Sequence, residues 1–330
     1  MTSPALAASA LSSERKSSGL AATLTTHRVS LSIAALCLLP WLLPSQALAV
    51  NVLVYGVLAV GYNLLFGYTG MLSFGHAAFF GAGAYIAGIA IAKFGIPWYA
   101  AVPLGVLGGG FLAFIIGALS TRTRGIYFSM VTLALAQLIY YVALQASSWT
   151  GGENGLRGLT VDKINLFGWS INFLDPVNKY YILMIFAALA LWTVSRILNS
   201  PFGAAIEAIR ENERRARTCG FDVERTKLLS FTLSGLICAL AGTMSALHLA
   251  FVPLDVLHYH TSGMIVMMTL LGGARSFFGP FIGALVFLLM EDMFSLWTSH
   301  WQIIVGSIFI LFVLFLPKGI WGTFLSKVMR

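Results

Sequence analysis

The sequence predicts an all-α polytopic membrane protein with about ten transmembrane helices, some of them short or broken. Of its 330 residues 58% are hydrophobic and only 10% charged, against about 25% charged in an ordinary soluble domain. The mean hydropathy is +0.85. The apolar residues are gathered into runs bounded by Gly, Pro or charge, most of them near the length that crosses a bilayer, about 20 residues.

Residues 1–28 are rich in Ser, Ala and Thr and carry Arg15, Lys16 and Arg28. They are too polar to span and too poor in large apolar groups to pack, so they read as a disordered cytoplasmic tail, and residues 29–330 as one transmembrane domain. Leu31–Val50 is the first apolar run. Its end, Ala47-Leu48-Ala49, has the small-x-small look of a cleavage site, but Pro44, Ser45 and Gln46 suit the end of a retained span. Nine runs follow, at 51–66, 77–92, 98–119, 125–146, 180–198, 228–250, 263–272, 279–290 and 301–316. The pair 263–272 and 279–290 is shorter than a straight crossing needs and flanks LGGARSFFGP, which predicts a broken or re-entrant pair.

With the amino terminus inside, only Lys93, Arg157, Lys163 and Lys179 of the 20 basic residues fall in outer loops. The rule that cytoplasmic loops concentrate Lys and Arg therefore places both termini in the cytoplasm. It also explains the net charge of +8 without invoking nucleic acid.

Chemistry is sparse. Asp, Glu, Lys and Arg keep to the ends of the proposed spans, so there is no obvious proton relay. None of the seven lysines follows a glycine, which excludes a Walker A loop. Energy for active transport would have to come from a partner. Cys37, Cys219 and Cys238 sit in unrelated stretches and read as packing residues. His258 and His260 have metal-like spacing but no third ligand. No catalytic residue, metal or cofactor is expected.

The long cytoplasmic loop at 199–227 reads NSPFGAAIEAIRENERRARTCGFDVERTK. Pro201 suits a first helical turn, Ala204–Thr218 is a strong helix-forming run and Gly220 suits its stop. Ile206, Ile209 and Ala216 fall near one face, with Arg210, Arg214 and Arg217 on the other. Such a helix serves either as a coupling element seated in a partner ATPase or as a basic helix on anionic lipid.

The same loop resembles the cytoplasmic motif of branched-chain amino acid ABC transporter permeases, in Gly203, Ala208, Ile209, Arg210, Glu211, Asn212, Glu213, Ala216 and Gly220. Further matches are GYNLLFGYTGMLSFGHAAFFGAGAY at 61–85, RGIYFSMVTLALAQ at 124–137 and MTLLGGARSFFGPFIGA at 268–284. The resemblance runs from about 50 to 322 and is closer to the LivM-type subunit than to its LivH-type partner. It implies a subunit of a bacterial inner-membrane importer, working with a second, LivH-type permease, two ABC ATPase subunits and an extracytoplasmic substrate-binding protein. It also implies a coupling set of Gly203, Ile206, Ile209, Arg210, Glu211, Asn212, Glu213, Ala216 and Gly220. The substrates of such families extend to urea, amides and aromatic acids.

Gly67, Gly70, Gly75, Gly81 and Gly83 serve either close helix packing or a broken helix lining a cavity. Gly70, Ser73, Gly75, His76, Gly272 and Gly273 are the candidates for a translocation path. His76 either contacts substrate or bonds a neighbouring carbonyl. The outer segment 147–179 either receives the binding protein, through Glu153, Arg157, Asp162 and Lys163, or only closes the outer face. A faint echo between Gly75–Ala82 and Gly279–Ala284 suggests two related halves. A membrane-embedded enzyme would need an intramembrane catalytic cluster, and a passive channel would not need the arginine-rich loop. Single cysteines at Ser17, Thr218 and Ser326 are expected to be shielded from an impermeant thiol reagent added outside, and one at Asn165 to be labelled. Labelling at Thr218 would reverse the orientation.

Overall fold

A long apolar run in lipid has no water to satisfy its backbone, so it folds as a helix. All ten predicted runs are helical in the structure, a computed structural model that describes residues 28–160, 164–166, 169–171, 173, 175–298, 300–316 and 319–328. Apart from Arg28, the predicted tail lies outside these residues. The helices are α1 (Arg28–Leu42), α2 (Gln46–Asn63), α3 (His76–Phe94), α4 (Trp98–Ser120), α5 (Ile126–Gln145), α6 (Pro176–Leu198), α7 (Pro201–Glu211) and α8 (Glu213–Thr218). There follow α9 (Val223–Leu249), α10 (Tyr259–Gly272), α11 (Gly279–Ser295), α12 (Trp301–Phe315) and α13 (Gly319–Val328). A small antiparallel hairpin, β1 (Ile164–Leu166) and β2 (Trp169–Ile171), decorates the loop before α6.

Seven stretches are long and apolar enough to cross a membrane: Gln46–Thr69, His76–Phe94, Trp98–Ser120, Ile126–Gln145, Pro176–Leu198, Val223–Leu249 and Trp301–Thr323. The other three predicted spans are the shorter helices α1, α10 and α11, of 15, 14 and 17 residues. The first boundary moves. The run Leu31–Val50 is interrupted between Leu42 and Gln46, where Ser45 is extended and its hydroxyl accepts the Leu48 N–H at 3.1 Å. That cap starts a new helix, so residues 46–50 belong to α2.

The architecture is built around α2. In its apolar stretch 89% of the residues are buried, against 12% for the stretch that begins at Trp301, so one lies at the centre and the other presents its apolar side outward. Around α2 pack α9, α11, α6 and α10, while α3, α4 and α9 form a second tight group. Tyr62, Phe79, Phe80 and Phe231 are among the largest fully buried side chains. Lipid offers helices no hydrophobic drive to associate, so close contact depends on small residues. A Cβ on Gly83 would lie 2.2 Å from the Ala239 carbonyl and one on Gly242 1.8 Å from that of Phe80. For Gly81 and Gly83 the packing reading is therefore the one the structure shows.

The tightest approach closes the short pair α10–α11. A Cβ on Gly283 would meet the Met268 carbonyl at 1.8 Å, and one on Gly272 the Gly279 carbonyl at 1.7 Å. Both obstacles are backbone and cannot rotate away. Gly283→Ala is expected to lower the unfolding midpoint of the detergent-solubilised protein, by the about 1–3 kcal/mol typical of overpacking. Gly306→Ala, where an added Cβ meets nothing within 4 Å, is expected to leave or raise it, by up to about 1 kcal/mol of helix propensity. Equal shifts would contradict the packing account.

Candidate functional site

Two helix breaks and the arginine-rich loop meet at one end of the molecule. The first break begins where α2 widens into a π turn, Leu64–Thr69, and stops at Gly70, whose φ of 80° is left-handed. Residues 70–75 then run without helix until α3 starts at His76. Neighbouring helices supply the bonds that the backbone lacks. Ser129 donates to the Leu72 carbonyl at 2.6 Å, and Thr132 accepts the Phe74 N–H at 3.3 Å. The Thr69 hydroxyl lies 2.6 Å from that of Ser230.

His76, Ser73 and Ser234 form a closed network. Ser234 donates to the Gly61 carbonyl at 2.6 Å, so its oxygen is left to accept from His76 Nε2 at 2.9 Å. In the neutral imidazole His76 Nδ1 then accepts from Ser73 at 3.2 Å, so both ring nitrogens are partnered. His76 is fully buried, ringed edge-on by Tyr62, Phe79 and Phe231. It ties the start of α3 to α2 and α9.

The second break, Gly273–Phe278, joins α10 to α11. It is held to the first by Asn63, a residue that the sequence reading passed over. Asn63 donates to the Ser276 carbonyl at 3.0 Å and accepts the Arg275 N–H at 3.3 Å. Gly67 leaves the space it needs, since a Cβ there would lie 1.9 Å from Asn63 Oδ1. The available signal was a buried amide in the middle of the apolar run 51–66, which in lipid always needs partners.

The loop differs from the single helix predicted over Ala204–Thr218. Pro201 fills the first turn of α7, as expected, and Ser200 caps it. At Asn212 the backbone is extended, with φ −157° and ψ 100°, and the Asn212 side chain accepts the Arg215 N–H to start α8. Gly220, at φ 90°, ends it, with the Phe221 N–H on the Ala216 carbonyl. The apolar face is covered by the chain itself. Ile206 is fully buried in the main core, and Ile209 and Ala216 pack with Val223. Gly203 sits against the end of α6, where a Cβ would meet the Leu198 carbonyl at 2.3 Å. Glu207, Glu211, Arg214, Arg215 and Thr218 point outward.

Two side chains clasp this loop to the membrane body. Arg210 donates to the Gly67 carbonyl in the π turn and lies against Gly70. Burial and the like charge of Arg275 lower its pKa, opposed by Glu207. Glu213, at the start of α8, accepts from Lys227 of α9 at 2.6 Å and pairs with Arg124 at 3.2 Å and Arg217 at 3.9 Å. Burial pushes its carboxyl up, but the Lys227 hydrogen bond and the three cations outweigh burial and hold it below the ordinary range. A depressed carboxyl stabilises the fold above its unfolded pKa and loses that contribution as pH falls through its folded pKa. The clasp is therefore complete throughout the neutral range.

At the opposite end, Leu156 pairs with Val252 in an isolated bridge and Arg157 lies over the Phe251 ring at 5.7 Å. Asp162 and Lys163 lie outside the described residues. His258 Nδ1 accepts the His260 N–H at 3.4 Å and so caps α10. Among the described residues no three His, Cys, Asp or Glu are grouped to hold a metal.

The sequence pattern of the family described as branched-chain amino acid transport system, permease component, matches residues 46–316. The chain belongs to that family. The match covers both helix breaks and the clasped loop, so these are features of a transmembrane permease. LivM of the high-affinity branched-chain amino acid system of Salmonella typhimurium is 27% identical over 297 residues, covering 84% of this chain and 69% of that permease. LivM of Escherichia coli K12 is 26% identical, covering 83% and 69%. A probable branched-chain amino acid permease, LivH, from Methanocaldococcus jannaschii is 25% identical, covering 83% and 90%. No solved structure matches.

Removing the Asn63 amide strands the Arg275 N–H and the Ser276 carbonyl. Asn63→Leu in this permease is expected to cost about 1–3 kcal/mol and to speed amide exchange at Arg275 while leaving α5 protected. Unchanged exchange at Arg275 would show that the two breaks are not joined there.

Proposed function

We propose that the chain is the LivM-like subunit of an ABC importer in a bacterial inner membrane, with both termini in the cytoplasm. It pairs with a LivH-like second permease and is driven by two ATPases that dock on the outward face of α7 and α8. A binding protein delivers branched-chain or related amino acids at the opposite end, on the side of Glu153, Arg157 and the 147–179 segment. The observation that carries this reading is the clasped loop. Arg210 reaches the break in α2, so force applied at α7 has a direct route to the helix that organises the fold.

On this reading Gly70, Ser73, Gly75, His76, Gly272 and Gly273 act as the joint that moves rather than as the walls of the path, because His76 and its partners are packed and bonded. The path then runs along faces shared with the second permease. The docking set also shifts. Ile206, Ile209 and Ala216 shape the loop from within, whereas Glu207, Glu211, Arg214 and Arg215 meet the ATPase. Gly203, Asn212 and Gly220 fix where α7 and α8 begin and end.

Copurification tests the docking. Glu211→Arg is expected to leave the permease folded, within about 0.5 kcal/mol as for other exposed positions, and to reduce the ATPase recovered with it several-fold. If the loop merely lies on anionic lipid, an added arginine strengthens that contact by about 1 kcal/mol and ATPase recovery stays normal. Normal recovery together with normal substrate-stimulated hydrolysis would sink the docking assignment.

A further inference from the structure

Between the clasped loop and the first helix break lies a cavity of about 420 Å³, within the size range of small-molecule sites, about 300–1,000 Å³. Its polar wall carries Arg124, Arg210 and Lys227 against a single carboxylate, Glu213. Glu213 is already engaged by Lys227 and Arg124. Arg210 bonds the Gly67 carbonyl and, among the described residues, has no carboxylate at ion-pair distance, with Glu207 acting only from farther away. The cavity therefore keeps an excess of two positive charges. Its other wall is apolar, made by Leu72, Ile126, Phe128 and Ile209, and Phe128 is 3% exposed. A cationic wall facing an apolar one selects a small molecule with an anionic head and an apolar tail.

We infer that this cavity binds a free α-amino acid with an apolar side chain. Its carboxylate lies toward Arg210 and Arg124, its ammonium toward Glu213, the one carboxylate on the wall, and its side chain toward Phe128 and Leu72. The inference rests on the importer reading above, which puts the cavity on the side where the imported product accumulates. The walls come from four parts of the chain: the unwound segment Gly70–Leu72, the turn into α5 with the start of that helix, the loop residues Ile209–Glu213, and Lys227 of α9. An occupant bridges them. It holds the loop against the break that must move in each cycle, so it slows import when product is abundant.

The test uses the reconstituted four-subunit complex with its binding protein, and the probes are L-leucine, L-isoleucine and L-valine added on the nucleotide side. Saturable slowing of import and of ATP hydrolysis by threefold or more is expected, and L-leucinol, which lacks the carboxylate, is expected to be without effect. Ile126 is 74% exposed and takes no part in the clasp. Ile126→Glu, which sets a carboxylate at the mouth, is expected to keep basal import and to lose the inhibition. Calorimetry on the complex without binding protein should show leucine binding weakened tenfold or more by that change. Vesicles with and without phosphatidylglycerol separate a lipid headgroup from the free amino acid. Leucine inhibition equal in both supports the amino acid, and loss of leucine binding in the anionic vesicles overturns it. Import without product-side inhibition or binding, leucinol acting like leucine, or inhibition unchanged in Ile126→Glu would overturn the cavity assignment and leave the importer reading intact. Carboxylate-dependent binding lost in Ile126→Glu, without import of any of the three, would keep the cavity and sink the substrate reading.

Discussion

A helix that stops within a membrane protein leaves donors and acceptors that its own turns no longer serve, and most of this structure is arranged around two such stops. At 70–75 the bonds come from Ser129 and Thr132 on α5. At 273–278 they come from Asn63 and from Ser276 itself, which donates to the Gly273 carbonyl and accepts the Gly279 N–H. Each unmet group would cost about 1–3 kcal/mol, so the breaks persist only because α5 and α2 are held where their side chains can serve them. The position of α5 relative to α2 is thus set by hydrogen bonding as much as by packing.

The same constraint explains the use of small residues. Side chains can reach a neighbouring helix's backbone only if the helices lie close, and in lipid closeness comes from Gly, Ala and Ser. Gly67 admits the Asn63 amide, while Gly283 lets α11 lie on the Met268 carbonyl. Close packing and polar satisfaction are therefore one device: a glycine at the contact permits the bond beside it.

The parts legible in the sequence were those fixed by local composition. Ten apolar runs became helices because hydropathy acts on contiguous residues, and Pro201 and Gly220 marked the ends of the loop because backbone freedom is a property of the residue. Other features depended on contacts that sequence spacing does not reveal. Asn63 meets Ser276 across 213 positions and Arg210 meets Gly67 across 143. Periodicity correctly showed that Ile206, Ile209 and Ala216 face something apolar. It could not show that the partner was the chain's own core. Asn212 looked like one more residue of a helix, since an asparagine inside a helix and one at its cap differ only in φ and ψ. Pro44 and Ser45 were visible as a helix end but not as the start of the next helix, because a three-residue break has no hydropathy signature.

The two clasps differ in what they can transmit. Glu213 binds Lys227 and Arg124 through side chains that are all partly solvated, and such pairs are individually weak and adjustable. Arg210 instead grips a backbone carbonyl of the π turn, so displacing it perturbs the α2 backbone directly. A π turn already carries a register that differs from the helix before it and can revert by shifting one residue. A pull on α7 therefore acts first on the part of α2 that has an alternative hydrogen-bond register. Through Asn63, one residue before that turn, the same displacement reaches the α10–α11 break. Glu213 meanwhile keeps α8 on α9 and on the turn into α5, so the two clasps tie the loop to different parts of the membrane body.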